Sequence, residues 1–114
     1  MEREKMLAAI LDSIPYPIVF VDKDHIIRYL NQEARHRYYG IRGYRDLIGK
    51  SLFDCHGKES KERILAAVEK VKNHENDIFI KVGSRNERIY LNPVRDENGE
   101  FIGYFERFEM NLQK

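Results

Sequence analysis

The N-terminal stretch carries apolar residues at the spacing of one helical face. They recur three, four and seven positions apart with charged residues opposite, which predicts a short amphipathic helix over residues 3–13. The apolar stripe consists of Met6, Leu7, Ile10, Leu11 and Ile14. Pro15 and Pro17 end the helix, because proline disfavours the helical conformation in the residue before it.

The next apolar positions follow the period of β-strands. Residues 18–21 (IVFV) are a continuous apolar run rich in β-branched side chains, which predicts a strand covered on both faces. Residues 22–24 (DKD) predict a tight turn, and residues 25–30 (HIIRYL) predict a second strand. The two strands are therefore expected to pair as a hairpin.

Helical signals follow the hairpin. Asn31 stands at a helix N-cap position, where its side-chain oxygen can accept hydrogen bonds from free backbone N–H groups. A short helix is predicted over residues 32–39, ended by Gly40. Residues 41–57 are predicted to form a loop with one or two single helical turns.

The longest helix is predicted to follow that loop. Ser60 is the expected N-cap, and the helix is expected to run to about Asn73. Its apolar stripe, which must face a core, consists of Ile64, Leu65, Val68 and Val71.

The last third of the chain predicts three strands. Residues 78–82 alternate in polarity, residues 87–94 form the next strand, and residues 101–110 form the last. Asn98-Gly99, the strongest short-range hairpin signal, lies between the last two. This order of elements predicts an α+β domain with one antiparallel sheet and helices on one face.

The composition fits an ordinary globular protein. The chain has 114 residues, of which 42% are hydrophobic and 34% charged, enough for one core. Lys and Arg number 20 against 19 Asp and Glu, so no net charge favours nucleic acid or an anionic membrane. One cysteine cannot form an internal disulfide, and no apolar run has the length of a membrane-spanning helix or signal peptide. We therefore expect a cytoplasmic location without membrane or nucleic-acid association.

Five stretches, in this order and spacing, resemble the PAS domain family over roughly residues 12–110. They are residues 11–15 (LDSIP), 18–24 (IVFVDKD), 29–34 (YLNQEA), 46–52 (DLIGKSL) and 92–103 (NPVRDENGEFIG). The resemblance implies a five-stranded antiparallel sheet in the order 2-1-5-4-3, helices over one face, and a small cavity between them. We expect an N-terminal flanking helix over residues 1–13 and a single PAS domain over residues 14–114.

The resemblance also implies a function. Such domains sense a ligand, redox state or light and relay the change to an attached effector domain or partner protein, often in bacterial signalling or transcription regulation. They bind haem, flavins, organic acids, lipids, metal ions or nothing, so the cofactor is not specified. Enzymatic activity would be unusual, and no nucleophile–base pair is visible in the sequence. We expect a sensor with its ligand between the long helix and the C-terminal strands.

Cys55 and His56 are the first candidate ligand-binding residues. They could ligate haem iron, contact a flavin or sense redox state; the alternative is a half-buried cysteine beside an exposed histidine. Cys55 lies too far after Gly49 for the light-sensing flavin motif, and the long helix lacks the central histidine of oxygen-sensing haem domains. The phrase Asp54-Cys55-His56 partly resembles a "Cys-His-Pro-Pro" variety of PAS domain, although Gly57-Lys58 replaces the prolines.

Polar residues on the strands are further candidates. Tyr90, Asn92 and Tyr104 could line a polar cavity, or else be core residues with their polar ends at its rim. Arg28 would favour an anionic ligand if it pointed inward, and an outward position is the expectation. His25, His36 and His74 have no metal-ligand spacing with other His, Cys or carboxylate residues, so no metal site is predicted. Tyrosines 38, 39 and 44 cluster near the short helix, where they could also reach the cavity.

A second functional class stays open. The stripe of Met6, Leu7, Ile10 and Leu11 needs burial, which it could find against the sheet or in a homodimer. A ligand-free PAS dimerisation module is therefore the alternative to a ligand sensor.

Overall fold

The computed structural model describes residues 1–55, 57–73 and 76–112, and only the backbone of Cys55. The helices are α1 (Arg3–Asp12), α2 (Gln32–Arg35), a π-helix (His36–Ile41), a 3-10 helix (Leu52–Cys55) and α3 (Lys58–Lys72). The strands are β1 (Val19–Asp22), β2 (Ile27–Leu30), β3 (Ile78–Val82), β4 (Glu87–Arg95) and β5 (Phe101–Met110).

The five strands form one antiparallel sheet in the order β2-β1-β5-β4-β3. The central strands β4 and β5 are paired along their whole length, and α3 packs on β3 and β4. The buried core residues between helices and sheet are Val21, Ile27, Leu30, Ala34, Leu47, Ile64, Ala67, Val68, Val71, Leu91 and Tyr104. The α+β fold class and the strand order predicted from the sequence are confirmed. In the described part of the chain, no helix has the length and apolar character needed to cross a bilayer.

The longest helix begins one turn earlier than predicted. Its N-cap is Gly57, whose extended backbone precedes the first helical residue, and the Lys61 N–H donates to the Gly57 carbonyl at 3.0 Å. The prediction that Ser60 caps this helix is therefore wrong. Serine is a favoured N-cap residue, which made Ser60 the natural candidate. The first turn of α3 is charged and comes before the apolar stripe, so the hydrophobic pattern does not show where the helix begins. Ser60 lies within that turn.

The helix after Asn31 also differs from its prediction. The α-helical part lasts only to Arg35 and continues as a π-helix to Ile41, passing through Gly40 instead of ending there. The glycine with positive φ in this region is Gly43, three residues later (φ 75°). A left-handed residue is a common helix terminator, and sequence alone does not say which of two glycines adopts it.

Asn31 is fully buried and joins three parts of the chain. Its Oδ1 accepts from the Ile18 N–H at 2.9 Å and the Ala34 N–H at 3.0 Å. Its Nδ2 donates to the carbonyls of Leu11 and Tyr16, both at 3.0 Å. The predicted N-cap of α2 is thus confirmed, and the same side chain also holds the end of α1 and the entry to β1.

Strands β1 and β5 approach so closely at Gly103 that no side chain fits. A Cβ built there would lie 2.3 Å from the Val21 carbonyl oxygen and 2.7 Å from the Phe20 ring. Because one of these neighbours is backbone of the central sheet, it cannot move aside without breaking the β1–β5 pairing.

We expect Gly103→Ala to lower the free energy of unfolding by about 2 kcal/mol or more, since overpacking forces the strands apart. Urea denaturation monitored by circular dichroism measures it. Gly40→Ala is the matched control: its Cβ would meet only His36 Nδ1, at an ordinary 3.6 Å. The control should stay within about 1 kcal/mol of wild type, and an equally stable Gly103→Ala protein would contradict the close approach.

Candidate functional site

The connector, residues 46–52, is fastened to the start of β2 by backbone hydrogen bonds. The Gly49 N–H donates to the Ile27 carbonyl at 2.7 Å, and the Ile27 N–H donates to the Lys50 carbonyl at 2.9 Å. Gly49 has φ 92°, a conformation that other residues rarely adopt. The connector therefore turns sharply against the hairpin and buries Leu47 in the core.

Tyr104 and His25 form a polar pair inside the fold. Tyr104 is 1% exposed, and its hydroxyl lies 2.8 Å from His25 Nδ1. His25 has φ 66° in the β1–β2 turn, and its ring packs 5.0 Å from the ring of Phe53. Burial raises the pKa of the Tyr104 hydroxyl far above its ordinary value. The pair therefore ties the turn and the connector region to β5.

The pKa of His25 is lowered, first by burial and then by the positive charge of Lys72. Asp22 and Asp24 act in the opposite direction, and Lys61 adds to the lowering. The folded protein therefore favours a neutral imidazole at this position.

Two adjacent clefts lie between the helices and the sheet. The outer cleft, about 340 Å³, lies between the π-helix, the first turn of α3 and strands β3 to β5. The inner cleft, about 290 Å³, extends toward β1, β2 and the connector. Both are lined by Tyr38, Arg42, Ser60 and Glu106. Their sizes are at the lower end of those of small-molecule sites.

A largely buried ion pair lines part of the outer cleft. Arg37 Nη1 lies 3.2 Å from Glu87 Oε1, and the two side chains are only 11% and 16% exposed. The Arg37 guanidinium also lies 5.4 Å from the centre of the Phe108 ring. Its Nε is buried and has no hydrogen-bond partner among the described residues. The cleft thus contains a guanidinium whose hydrogen-bonding capacity is only partly used.

The π-helix places a second arginine at the same cleft. The Arg42 N–H donates to the Arg37 carbonyl at 3.1 Å, closing a turn over five residues. The Arg42 guanidinium lies 5.2 Å from the centre of the Tyr44 ring and 5.8 Å from that of Tyr38. Two aromatic rings therefore hold this planar cation at the border of the two clefts.

The two clefts differ in chemistry. Apart from the four residues that line both clefts, the inner one is lined by the apolar groups Val19, Ile27, Leu47 and Leu52, together with Tyr44 and Gly57. The charged residues that line the outer one are Arg37, Arg42, Arg63, Lys81, Arg85, Glu87 and Glu106. The lining of the outer cleft therefore has five cationic side chains and two carboxylates, which gives it an excess of positive charge. Burial, and then the negative charge of Glu106, raise the pKa of Tyr38, which keeps its hydroxyl protonated.

Among the strand candidates, the structure places only Tyr104 on the cleft face. It shares the face of β5 that carries Glu106 and Phe108, and bounds a void of about 20 Å³ beside the clefts. Tyr90 and Asn92 alternate with the cleft-facing residues of β4 and so lie on the opposite face of the sheet.

On that opposite face, the polar groups of the candidates have local partners. The Tyr90 hydroxyl accepts from Arg88 Nε at 2.9 Å, and its ring lies 4.3 Å from the guanidinium of Arg107. Asn92 Nδ2 donates to the Pro93 carbonyl at 3.0 Å. The structure therefore does not bring these two side chains together with Tyr104.

Arg28 points outward, in line with the sequence expectation. Its side chain is 55% exposed, and its Nε donates to Asp22 Oδ2 at 2.8 Å. The cation that points inward at the clefts is Arg37 of the π-helix, and not Arg28 of β2.

The predicted ligand-binding role of Cys55 and His56 stays a prediction, because the structure describes neither side chain. His56 lies outside the described residues, and for Cys55 only the backbone position at the end of the 3-10 helix is described. Across residues 1–55, 57–73 and 76–112, no three His, Cys or carboxylate side chains group as metal ligands would.

The stripe on α1 is largely open to solvent. Met6, Leu7 and Ile10 are 45%, 50% and 54% exposed, and Leu11 is half-buried near the contact with α2. The helix is anchored at its C-terminal end, where Arg35 Nη2 lies 3.5 Å from Asp12 Oδ2. The apolar face of α1 is therefore not covered by the described part of the sheet.

Several residues of the clefts were not predicted as site residues from the sequence: Arg37, Arg42, Ser60, Glu106 and Phe108. One signal was available, because Arg37 directly precedes the tyrosine cluster that was expected near the cavity, and Arg42 lies within it. Ser60 was noted, but as a helix cap.

An antiparallel sheet in the order 2-1-5-4-3, with helices over one face and clefts beneath them, defines the class of PAS-type domains. The comparison with protein families agrees, since the family model described as "PAS fold" matches residues 11–109. The chain belongs to this family. No curated protein shows significant similarity to it.

Solved structures show the same fold. The C-terminal domain of a Streptococcus mutans protein has a TM-score of 0.74 at 22% identity, covering 94% of this chain and 84% of that one. A PAS domain from Colwellia psychrerythraea has a TM-score of 0.64 at 20% identity, with 94% and 97% covered. A sensory box sensor histidine kinase from Vibrio cholerae has a TM-score of 0.64 at 15% identity, with 96% and 93% covered.

The lowered pKa of His25 predicts a loss of stability in mild acid. The unfolded chain has a histidine pKa of about 6.5 and binds the proton more readily than the folded state, so the contribution is present above that pH. It is lost as the pH falls from about 6.5 toward the lower folded pKa. Asn tolerates the positive φ of this position, so we expect His25→Asn to lose less stability than wild type between pH 7.5 and pH 5.

Urea denaturation at the two pH values measures the difference, with His36→Asn as the control for an exposed histidine. The control should show the pH dependence of wild type. Identical pH dependence in His25→Asn and wild type would contradict the half-buried, neutral imidazole.

Proposed function

We propose that this domain is a sensor that binds a small molecule across the inner and outer clefts and relays the change to an attached effector or partner protein. The observation that carries the proposal is the pair of adjoining clefts, which have an apolar wall, a charged wall and hydroxyl groups between them. That combination is typical of ligand sites, in which apolar groups provide affinity and a few polar groups fix orientation. The proposed module comprises residues 14–114, with residues 1–13 as its flanking helix.

The path of the signal in this proposal runs through β5. Glu106 and Phe108 of β5 line the outer cleft, and Glu87, the partner of Arg37, pairs in register with Met110 at the end of the strand. Next to that pair, Asn111 Nδ2 donates to Asn86 Oδ1 at 2.9 Å. A ligand that shifts the Arg37–Glu87 pair would therefore act directly on the segment that leaves the sheet.

The proposal predicts that a side chain filling both clefts prevents ligand retention. We expect the protein as purified to retain a small molecule, which native mass spectrometry detects as added mass and which denaturation releases. Ser60→Phe should lack this molecule. Glu59→Phe is the matched control, because it adds the same ring at the neighbouring exposed position of α3. Equal retention by both variants would contradict the site, and a wild-type protein without any small molecule would contradict the sensor function.

An absorption spectrum of the same samples separates coloured from colourless ligands. The chain has no Trp and seven Tyr, so any band at longer wavelength than the aromatic ultraviolet belongs to a bound group. A Soret or flavin band would assign a haem or flavin cofactor and make Cys55→Ala and His56→Ala the next variants. A blank spectrum with a released small molecule would assign a colourless metabolite.

The exposed stripe of α1 favours a second candidate function, a homodimerisation module. Three large apolar side chains, Met6, Leu7 and Ile10, are about half exposed on one face of α1. Burying such a face against a second copy removes apolar area from water.

We expect Leu7→Asp or Ile10→Asp to abolish concentration-dependent dimerisation measured by analytical ultracentrifugation. The control is Lys5→Asp, which introduces the same side chain on the opposite, charged face of α1 and should leave the dimer intact. A wild-type protein that stays monomeric at all concentrations would contradict this function. Dimerisation that survives both stripe variants would contradict the role of α1.

A further inference from the structure

The charge of the outer cleft does not follow from the charge of the whole chain. The chain is nearly neutral at +1, yet the described residues lining this cleft carry five cationic groups and two carboxylates. Arg37 is largely buried and the other four cationic side chains are exposed around the mouth of the cleft, so their charges add to a positive potential that attracts the opposite charge. The local excess therefore selects for an anionic group.

Arg37 alone does not provide the anion site. It is already paired with Glu87, and only part of its hydrogen-bonding capacity is unused. It contributes a nearby positive charge and a wall for whatever binds beside it.

Arg42 is suited to bind the anion directly. It lines both clefts, has no carboxylate within ion-pair distance among the described residues, and lies against the rings of Tyr38 and Tyr44. The Arg42 Nη2 donates to the Tyr44 hydroxyl at 3.4 Å, which leaves its other N–H donors to bind an anion. Because the guanidinium is already held against the rings, it loses less conformational freedom on binding a planar carboxylate. Ser60, whose side chain carries a hydroxyl, is a further polar residue that lines both clefts.

The inner cleft defines the other end of the ligand. Val19, Ile27, Leu47 and Leu52 give it apolar surface, and its charged lining residues, Arg42 and Glu106, are the ones that it shares with the outer cleft. A compact polyanion such as free phosphate would leave the apolar surface unused. A molecule that spans both clefts must therefore be charged at one end and apolar along the rest.

We propose that the ligand is an amphipathic carboxylate, whose carboxylate group is bound by Arg42 in the outer cleft and whose apolar body occupies the inner cleft. This inference rests on the proposed sensor function and names the chemical class that the sensor recognises. The carboxylate would bind in competition with Glu87 for the positive charge around Arg37.

Isothermal titration calorimetry with acid–amide pairs tests the class. We expect octanoate or phenylacetate to bind the full chain, and the corresponding neutral amides, octanamide and phenylacetamide, to bind at least tenfold more weakly. Inorganic phosphate should bind weakly or not at all, because it has no apolar body.

Two arginine variants test the site. Arg42→Gln should weaken binding of the acids about tenfold or more, since a charge-assisted hydrogen bond is removed, while its melting temperature without ligand stays near that of wild type. Arg45→Gln is the matched control: it removes the same charge from the same loop, at a side chain that lines neither cleft. It should leave the affinity within about twofold of wild type.

The outcomes separate this inference from the sensor proposal. Amides that bind as tightly as acids, equal effects of the two arginine variants, or phosphate that binds as tightly as the acids would each overturn the inference. If both acids fail to bind while the purified protein still releases a neutral small molecule that Ser60→Phe lacks, the sensor proposal stands and the inference falls. If no small molecule is released or bound, both fall.

Discussion

The four hydrogen bonds of Asn31 are the constraint on which the arrangement of this domain depends. One buried amide satisfies two backbone N–H groups and two backbone carbonyls that belong to α1, the segment before β1, and α2. A buried backbone group left without a partner costs about 1–3 kcal/mol, so these bonds favour the observed position of all three segments. A carboxylate could not donate and an aliphatic side chain could do neither, so the amide is the group that fits. Its position sets where α2 starts and hence where the π-helix and its arginines lie.

Much of the fold was predictable because its signals are local. The Asn98-Gly99 turn, the alternation along β3 and the N-cap at Asn31 each act within a few residues. The strand order was implied by the five stretches that together resemble the PAS family. The prediction failed where two candidates of equal local merit compete, Ser60 against Gly57 and Gly40 against Gly43. There the decision rests on packing that no short window contains.

The site was harder to predict for a geometric reason. On an α-helix, side chains five positions apart point about 140° away from each other, so a helical projection separates Arg37 from Arg42. The π-helix closes its turn over these five residues, and both side chains line the outer cleft. Such wide turns are rare and often occur at functional sites. No periodicity in the sequence predicts a π-helix, whereas the tyrosines expected near the cavity are visible as a local enrichment of one residue type.

The Arg37–Glu87 pair is difficult to explain as a stabilising element. Removing two charges from water costs about as much as their attraction returns, and a buried pair with unsatisfied donors is commonly no better than an apolar replacement. The Arg37 Nε, buried and without a described partner, adds to that cost. The buried positive charge of Arg37 is understandable if an anion binds beside it. The negative charge of such a ligand would offset part of the free-energy cost of burying the guanidinium. In the proposed sensor, Glu87 would be the counter-charge that holds Arg37 when no ligand is bound. Glu87 pairs with Met110 at the end of β5, so a change in this ion pair would reach that end of the strand.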